Sequence, residues 1–325
     1  MIHLCWLLAF APNLTLKHMV ELKVAPAENP RLLKANDSFW YADYWAHKVY
    51  KVDQNGNPLL TIDGNDESVA RFSKPSNLLL FENGKTLLIE ASYGHMLLFD
   101  TTTGAHIRDV KRFFPLSALH KFDEHSFRVV YGGRPVSHEG QSKSINNFFH
   151  LNLAGAHLDE KLLLEKKYHE NQTIGAPSSA IDQNDILYWS NGYLETMVLD
   201  LKTETYSDWR LKAPKHYRPP PEKPLPRAHF FDRKRALAYV ASFTTLSRFE
   251  VLAGRYLVVA YKIHTPYPYS LDVYDLKNRK RIIANVPVQG QLKASRGQQL
   301  ILVETDEFRD DDPKYDRALI YELEL

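Results

Sequence analysis

The sequence predicts an all-β, six-bladed β-propeller with four antiparallel strands per blade. Three observations carry this. An alternating strand ending in an acid or amide recurs through the chain, an upstream hairpin precedes each copy, and the two chain ends each supply part of one blade. The recurring strands are "VYKVD" ending at Asp53, "LLFD" at Asp100, "FFHLN" at Asn152, "MVLD" at Asp200, "DVYD" at Asp275 and "LIYE" at Glu322. Their spacings are 47, 52, 48, 75 and 47 residues, the period of a repeat that adds one blade at a time.

Each unit opens with a hairpin. "PSNLLLFENGKTLLIEAS" (Pro75 to Ser92) reads as strand, Asn83-Gly84 turn and strand, the residue pair that two-residue hairpin turns select. After each anchor acid comes a turn, often with glycine, and a fourth strand such as "PLLTI", "HIRDVK" or "YSDWRL". The sixth unit stops after its third strand, whereas "LKHMVELKVAP" (Leu16 to Pro26) precedes the first unit as a spare strand. An open ring would leave two sheet edges with unpaired amides and carbonyls, so the N-terminal strand is expected to complete the last blade. One domain over 16–325 follows, with a proline-rich insertion at 213–227, "APKHYRPPPEKPLPR", in the 75-residue interval. That insertion reads as a stiff excursion between blades four and five, with a polyproline docking segment as the alternative.

Composition agrees with strands and narrows the partners. Aromatics make up 12% of the 325 residues, and 41 Lys and Arg stand against 39 Asp and Glu. So even a balance gives no reason to expect a nucleic-acid or membrane-surface partner, and no stretch is long and apolar enough to span a bilayer. The single cysteine, Cys5, excludes an intramolecular disulfide and a cysteine metal site. Residues 1–15 carry a short apolar run and the pair Ala9 and Ala11 before Pro12. These are export-signal features, so an extracytoplasmic location is expected, with a cytoplasmic one as the alternative.

"WYADYWAHKVYKVDQNG", through Asp43, His47, Asp53 and Gly56, and "KPSNLLLFENGKTLLIEASYGHMLLFDTTTG", through Pro75, His95, Phe99, Asp100 and Gly104, resemble the NHL repeat of six-bladed propellers, including those of secreted bacterial proteins. Ser92 replaces the family's aspartate, and units three to six match in outline alone. The resemblance implies the fold over the whole chain, but that fold serves enzymes, receptors and scaffolds alike. Related propellers, the gluconolactonase and paraoxonase-like lactonases, hold calcium or another divalent ion in the central channel. Oxygen ligands near the innermost strands here are few: Asn77, Asp182 and Glu250. They are weak metal candidates, and no calcium or other cofactor is required by the pattern.

No hydrolase, nucleotide or metalloprotease motif occurs, and no catalytic residue is assigned. His47 and His95 occupy equivalent turn positions and read as structural. The run Glu304 to Arg317 mixes acids with Arg309, Lys314 and Arg317 and lacks calcium-loop spacing, so it reads as a solvated loop. Three extended loops between second and third strands, Gly132 to Asn147, Lys262 to Ser270 and Thr305 to Arg317, are expected on the face that also carries the inter-blade links. Tyr44, Trp45, Tyr93, Arg134, Trp189, Tyr193, Tyr267, Tyr269 and Tyr315 fall on that side. Tyr, Trp and Arg are the side chains of binding surfaces. The expectation is therefore a non-catalytic propeller recognising a protein, peptide or glycan on its long-loop face. A divalent-metal lactonase centred on the channel and a structural subunit of an envelope assembly are the alternatives. Three convergent oxygen ligands at the channel mouth would favour the first alternative, and a dry apolar channel under an aromatic rim would favour binding.

Overall fold

Six four-stranded antiparallel sheets are arranged as the blades of a propeller. The computed structural model describes residues 12–27, 30–66, 70–112, 116–138, 141–167, 178–190, 194–219, 221, 229, 232–263, 269–304 and 315–324. At 93, 112, 116–117, 131–138, 141–147, 160–167, 233 and 236–237 the description is of the backbone alone.

Blade 1 comprises β2 (Arg31–Lys34), β3 (Ser38–Asp43), β4 (Lys48–Asp53) and β5 (Pro58–Asp63). Blade 2 comprises β6 (Asn77–Phe81), β7 (Thr86–Ala91), β8 (His95–Asp100) and β9 (His106–Arg112). Blade 3 runs through β10 (Leu116–Lys121), β11 (Ser126–His138), β12 (Gln141–Asn152) and β13 (His157–Lys167). Blade 4 holds β14 (Ser178–Ile181), β15 (Ile186–Ser190), β16 (Glu195–Asp200) and β17 (Tyr206–Arg210). Blade 5 holds β18 (Thr245–Leu252), β19 (Tyr256–Lys262), β20 (Tyr269–Asp275) and β21 (Lys280–Val288).

Blade 6 takes three strands from the end of the chain, β22 (Gly290–Arg296), β23 (Gln299–Glu304) and β24 (Asp316–Glu324), and its fourth, β1 (Asn13–Leu22), from the start. The register runs from Asn13 opposite Glu324 to Leu22 opposite Asp316. The closing strand thus begins at Asn13, three residues before the boundary expected from sequence. Closure is further pinned by Asp316, whose Oδ2 accepts the hydroxyl of Tyr41 on β3 and the amide of Ala27 (3.0 Å).

Packing follows from stacking sheet on sheet. Six apolar clusters of described residues fill the six junctions between neighbouring blades. Between blades 6 and 1, for example, Phe39, Tyr41 and Val52 meet Ile301, Val303 and Ile320. Both faces of a blade are therefore covered, and β3 and β7 are buried along their whole length.

The repeated anchor acids are turn caps. Asp53 Oδ1 accepts the amides of Asn55 and Asn57 (both 2.8 Å), Asp100 Oδ1 those of Thr102 (2.9 Å) and Thr103 (2.7 Å), and Asn152 Oδ1 those of Ala154 and Ala156 (both 3.0 Å). Such short side chains close a turn by bonding backbone two to four residues on. The glycine that follows is needed for two reasons at Gly56. Its φ is +79°, and an added Cβ would lie 1.6 Å from the Glu21 carbonyl oxygen of β1. Gly155 repeats this against Val110 of β9. The turn between third and fourth strands therefore seats on the outer strand of the preceding blade.

Two features depart from the sequence expectation. Gly132 to Asn147, expected as a loop, is largely strand: β11 and β12 stay in register out to His138 opposite Gln141. The excursion after Ala213 also holds a helix, α1 (Arg233–Ala241), whose first turn is capped by Asp232 accepting the Arg235 amide. Its start is tied to blade 5 by Arg281 Nη1 donating to the Ala213 carbonyl (3.1 Å), and its end by the Thr244 amide donating to the Arg218 carbonyl (2.9 Å). Residues 220 and 222–227 of the proline-rich segment lie outside the described residues.

Candidate functional site: the central channel

The six innermost strands, β2, β6, β10, β14, β18 and β22, surround a cavity of about 860 Å³ to which every blade contributes. Side chains on these strands also bridge the blades. Arg31 Nε donates to the Ser76 carbonyl (2.7 Å), joining blades 1 and 2, and His120 Nε2 pairs with Ser179 Oγ (2.8 Å) across blades 3 and 4. Ser178 Oγ accepts the Phe249 amide (2.6 Å) across blades 4 and 5, and Glu250 Oε2 accepts Ser295 Oγ–H (2.9 Å) across blades 5 and 6.

The wall is cationic where the sequence suggested oxygen ligands. Arg31, Arg248 and Lys293 all line this cavity. Arg31 opens β2, and burial together with Arg248 lowers its guanidinium to about 10, against the opposing influence of Glu90 and Tyr44. Arg248 donates Nε–H to Glu250 Oε1 (2.7 Å). Lys293 is 5% exposed, and burial, Arg31 and Arg248 hold its ammonium well below the usual lysine range, with Asp316 opposing. Its Nζ donates to Gln291 Oε1 (2.7 Å), and Gln291 Nε2 donates to the Tyr269 hydroxyl (2.6 Å).

The backbone explains how Lys293 reaches the channel. In the β22–β23 ladder the pairing steps from Leu292–Leu302 to Ala294–Ile301, so Lys293 is an extra, unpaired residue. Ser247 in β18 and Ser117 in β10 occupy corresponding irregularities. Such bulges re-aim a side chain that strict alternation would bury in the sheet.

Hydrogen-bonding capacity is left over. Among the described residues, Arg31 and Arg248 each make one hydrogen bond, through Nε, and the four terminal amino groups of the two guanidiniums have no partner. His120 is held neutral, its imidazole pulled to about 3 by burial and by Arg248 and Arg128. The carboxyl of Glu90 accepts Asn77 Nδ2–H (3.0 Å) and the Ser76 hydroxyl, and burial raises its proton affinity.

The weak metal candidates Asn77, Asp182 and Glu250 all line the channel but do not converge. Asn77 begins its strand, whereas Asp182 follows the last residue of β14. Four residues of strand separate their levels, about 13 Å at ~3.3 Å per residue. Asp182 is spent on its own turn, accepting the amides of Asn184 (2.8 Å) and Ile186 (3.0 Å) and the Tyr188 hydroxyl (3.2 Å). Among the described residues no three His, Cys, Asp or Glu side chains gather as a metal site. A calcium ion needs six to eight oxygens at 2.3–2.6 Å, and this donor set, interleaved with guanidiniums, does not fit one.

The aromatic and arginine candidates divide. Tyr269 is buried at the channel. Tyr44 lies close enough to influence Arg31 and stacks edge-on with Trp45 (5.0 Å), which is 53% exposed; Lys74 Nζ sits 4.9 Å above the Trp45 ring. Trp189 is not on a rim: it packs between blades 3 and 4 with Val130, Phe148 and Met197. Tyr93 lies on described backbone in the connection between β7 and β8, Arg134 lies within β11 opposite Ile145 of β12, and Tyr315 directly precedes β24. Tyr193 and Tyr267 lie outside the described residues, as do 264–268 and 305–314 of the two other long loops. Sequence reading missed Arg31, Arg248 and Lys293. Their common signal is a charge within an innermost strand, visible once the repeats are superposed.

No protein-family model matches the chain, and no curated protein sequence does. Solved structures match over nearly its whole length. A member of the DUF4221 family from Bacteroides vulgatus ATCC 8482 is 10% identical with a TM-score of 0.65, covering 97% of this chain and 99% of that one. A protein described as exported, from Bacteroides fragilis NCTC 9343, is 11% identical with a TM-score of 0.59 over 96% and 95%. The calcium-binding protein regucalcin of Agrobacterium tumefaciens C58 is 13% identical with a TM-score of 0.56 over 95% of each chain. At these identities the likeness is one of fold.

Proposed function

We propose that this chain is a non-catalytic binding propeller that takes a small solute into its central channel. The observation that carries the reading is the 860 Å³ cavity with polar side chains from several blades turned into it. Ligand sites typically enclose about 300–1,000 Å³ with a few placed polar groups. The long-loop face remains the route of entry in this reading, with Tyr44 near Arg31 on that side. The fold likeness to regucalcin favours a calcium-dependent alternative; against it, Asp182 lies at the opposite end of its strand from Asn77 and is spent on its own turn, and Glu250 is bonded to Arg248 and Ser295.

The same reading puts the protein outside the cytoplasm. Support comes from the apolar run before Pro12, with Ala9 and Ala11, and from the likeness to an exported protein. No helix among the described residues is long and apolar enough to cross a membrane. Kinship with NHL-type propellers rests on the motif residues Asp43, His47, Asp53, Pro75, His95 and Asp100.

The test is native mass spectrometry against sugars, sugar acids, amino acids, dicarboxylates and calcium, on wild type, Ser179→Trp and Trp45→Ala. Filling the channel with the Ser179→Trp ring should abolish solute binding while Trp45→Ala keeps it. Binding of calcium alone, or loss of binding in Trp45→Ala but not in Ser179→Trp, would overturn the reading.

A further inference from the structure

We infer that the channel ligand is a hydroxylated monocarboxylate, a sugar acid or similar hydroxy acid, whose carboxylate is held by Arg31, Arg248 and Lys293. This deepens the channel-binding reading and rests on it.

The charge argument comes first. Arg31, Arg248 and Lys293 line one cavity; Arg248 lowers the proton affinity of Arg31, and both guanidiniums lower that of Lys293. The cavity is also lined by Lys121, Arg128 and Lys262, against the carboxylates of Asp182, Asp185 and Glu250, so six basic side chains face three acidic ones and the wall favours an anion. Like charges held together in a poorly solvated place are costly unless a counter-charge completes them.

Geometry makes the same choice. The free terminal amino groups of Arg31 and Arg248 are donors of the planar, paired kind that carboxylates accept in bidentate fashion. Each guanidinium is already fixed through Nε, Arg31 by Ser76 and Arg248 by Glu250, so little freedom remains to be lost on binding. Lys293, delivered by the bulge in β22, adds a compact charge.

The rest of the wall argues for hydroxyls on the ligand. Ser178, Ser179, Ser247, Ser295, Asn77 and Gln291 line the same cavity; each has a protein partner, and a hydroxyl or amide keeps further donor or acceptor capacity beyond one bond. An alkyl chain there would leave that capacity unmet. Polyol hydroxyls can meet it.

Isothermal titration calorimetry with D-glucuronate, D-gluconate, methyl glucoside and inorganic phosphate tests this. At least one of the two sugar acids should bind at one site, and methyl glucoside should bind at least about tenfold more weakly, the loss of one charge-assisted interaction. Arg31→Gln, which retains an N–H for Ser76, and Lys293→Met should each weaken the sugar acid by about 10- to 100-fold. Both variants should keep a cooperative melt, so lost affinity cannot be ascribed to unfolding. Methyl glucoside binding as well as the sugar acids, or unchanged affinity in both variants, would overturn the charge assignment while leaving channel binding intact. Phosphate binding more tightly than either acid would overturn the carboxylate. If none of the four binds, and no solute of the wider panel does, the channel reading itself falls.

Discussion

The Tyr41 hydroxyl on blade 1 donates to the Asp316 carboxylate at the first residue of β24 on blade 6, both side chains buried. This bond crosses the junction where the ring is closed, beside the β1–β24 ladder. Tyr41→Phe should cost about 1–3 kcal/mol, because a buried charged acceptor loses a donor. Asp316 retains the Ala27 amide, so the variant should remain folded. Urea unfolding checks this, and a midpoint equal to wild type would remove the bond from any account of closure.

Gly56 and Gly84 both have positive φ, +79° and +87°, yet they should respond differently to alanine. Gly84 meets nothing within 4 Å, so Gly84→Ala carries the backbone strain alone, about 1–2 kcal/mol. At Gly56 the new methyl would collide with the Glu21 carbonyl as well. Gly56→Ala should therefore be the more damaging by a clear margin in thermal unfolding, and equal losses would contradict the seating of this turn on β1.

His120 sets an acid limit on stability. Its folded pKa of about 3 lies below the usual 6.5, so between those values the unfolded chain binds a proton that the folded chain refuses. Stability should fall as pH falls from about 6.5 towards 3. The groups opposing its protonation are Arg248 and Arg128. His120→Asn should flatten this part of the pH profile in calorimetry; an unchanged slope would show that other groups govern it.

Lys293 should be a burden on the fold. Its folded pKa is depressed by burial, Arg31 and Arg248, so from the usual lysine value of 10.5 down to its lowered value the unfolded chain holds a proton that the folded chain resists. Lys293→Met removes that penalty, and the variant should gain about 1–2 kcal/mol at neutral pH, in line with replacing other buried charges by apolar groups. A lower melting temperature than wild type would mean the lysine is structural.

The ring was legible because its repeat has a local cause. Asp53, Asp100, Asn152, Asp200 and Asp275 recur since each caps the same turn, and a cap is written in one residue. Trp189 misled because both faces of every blade are covered: an aromatic near the end of β15 packs between blades rather than crowning one. Helix α1 was hidden behind the proline-rich composition that precedes it. The cationic wall was hidden for a different reason. Arg31, Arg248 and Lys293 sit in three blades far apart in sequence, and Lys293 reaches the channel through a bulge that period-two reading cannot register.

Lys17 on β1 pairs with Glu324 on β24 across 307 positions of chain. During synthesis β1 must therefore wait for a partner strand made far later in the chain, and until β24 emerges the seam of blade 6 stays unpaired. Such a distant pairing pays its loop-closure entropy late, so the slowest refolding phase should report the seam, ahead of any single blade.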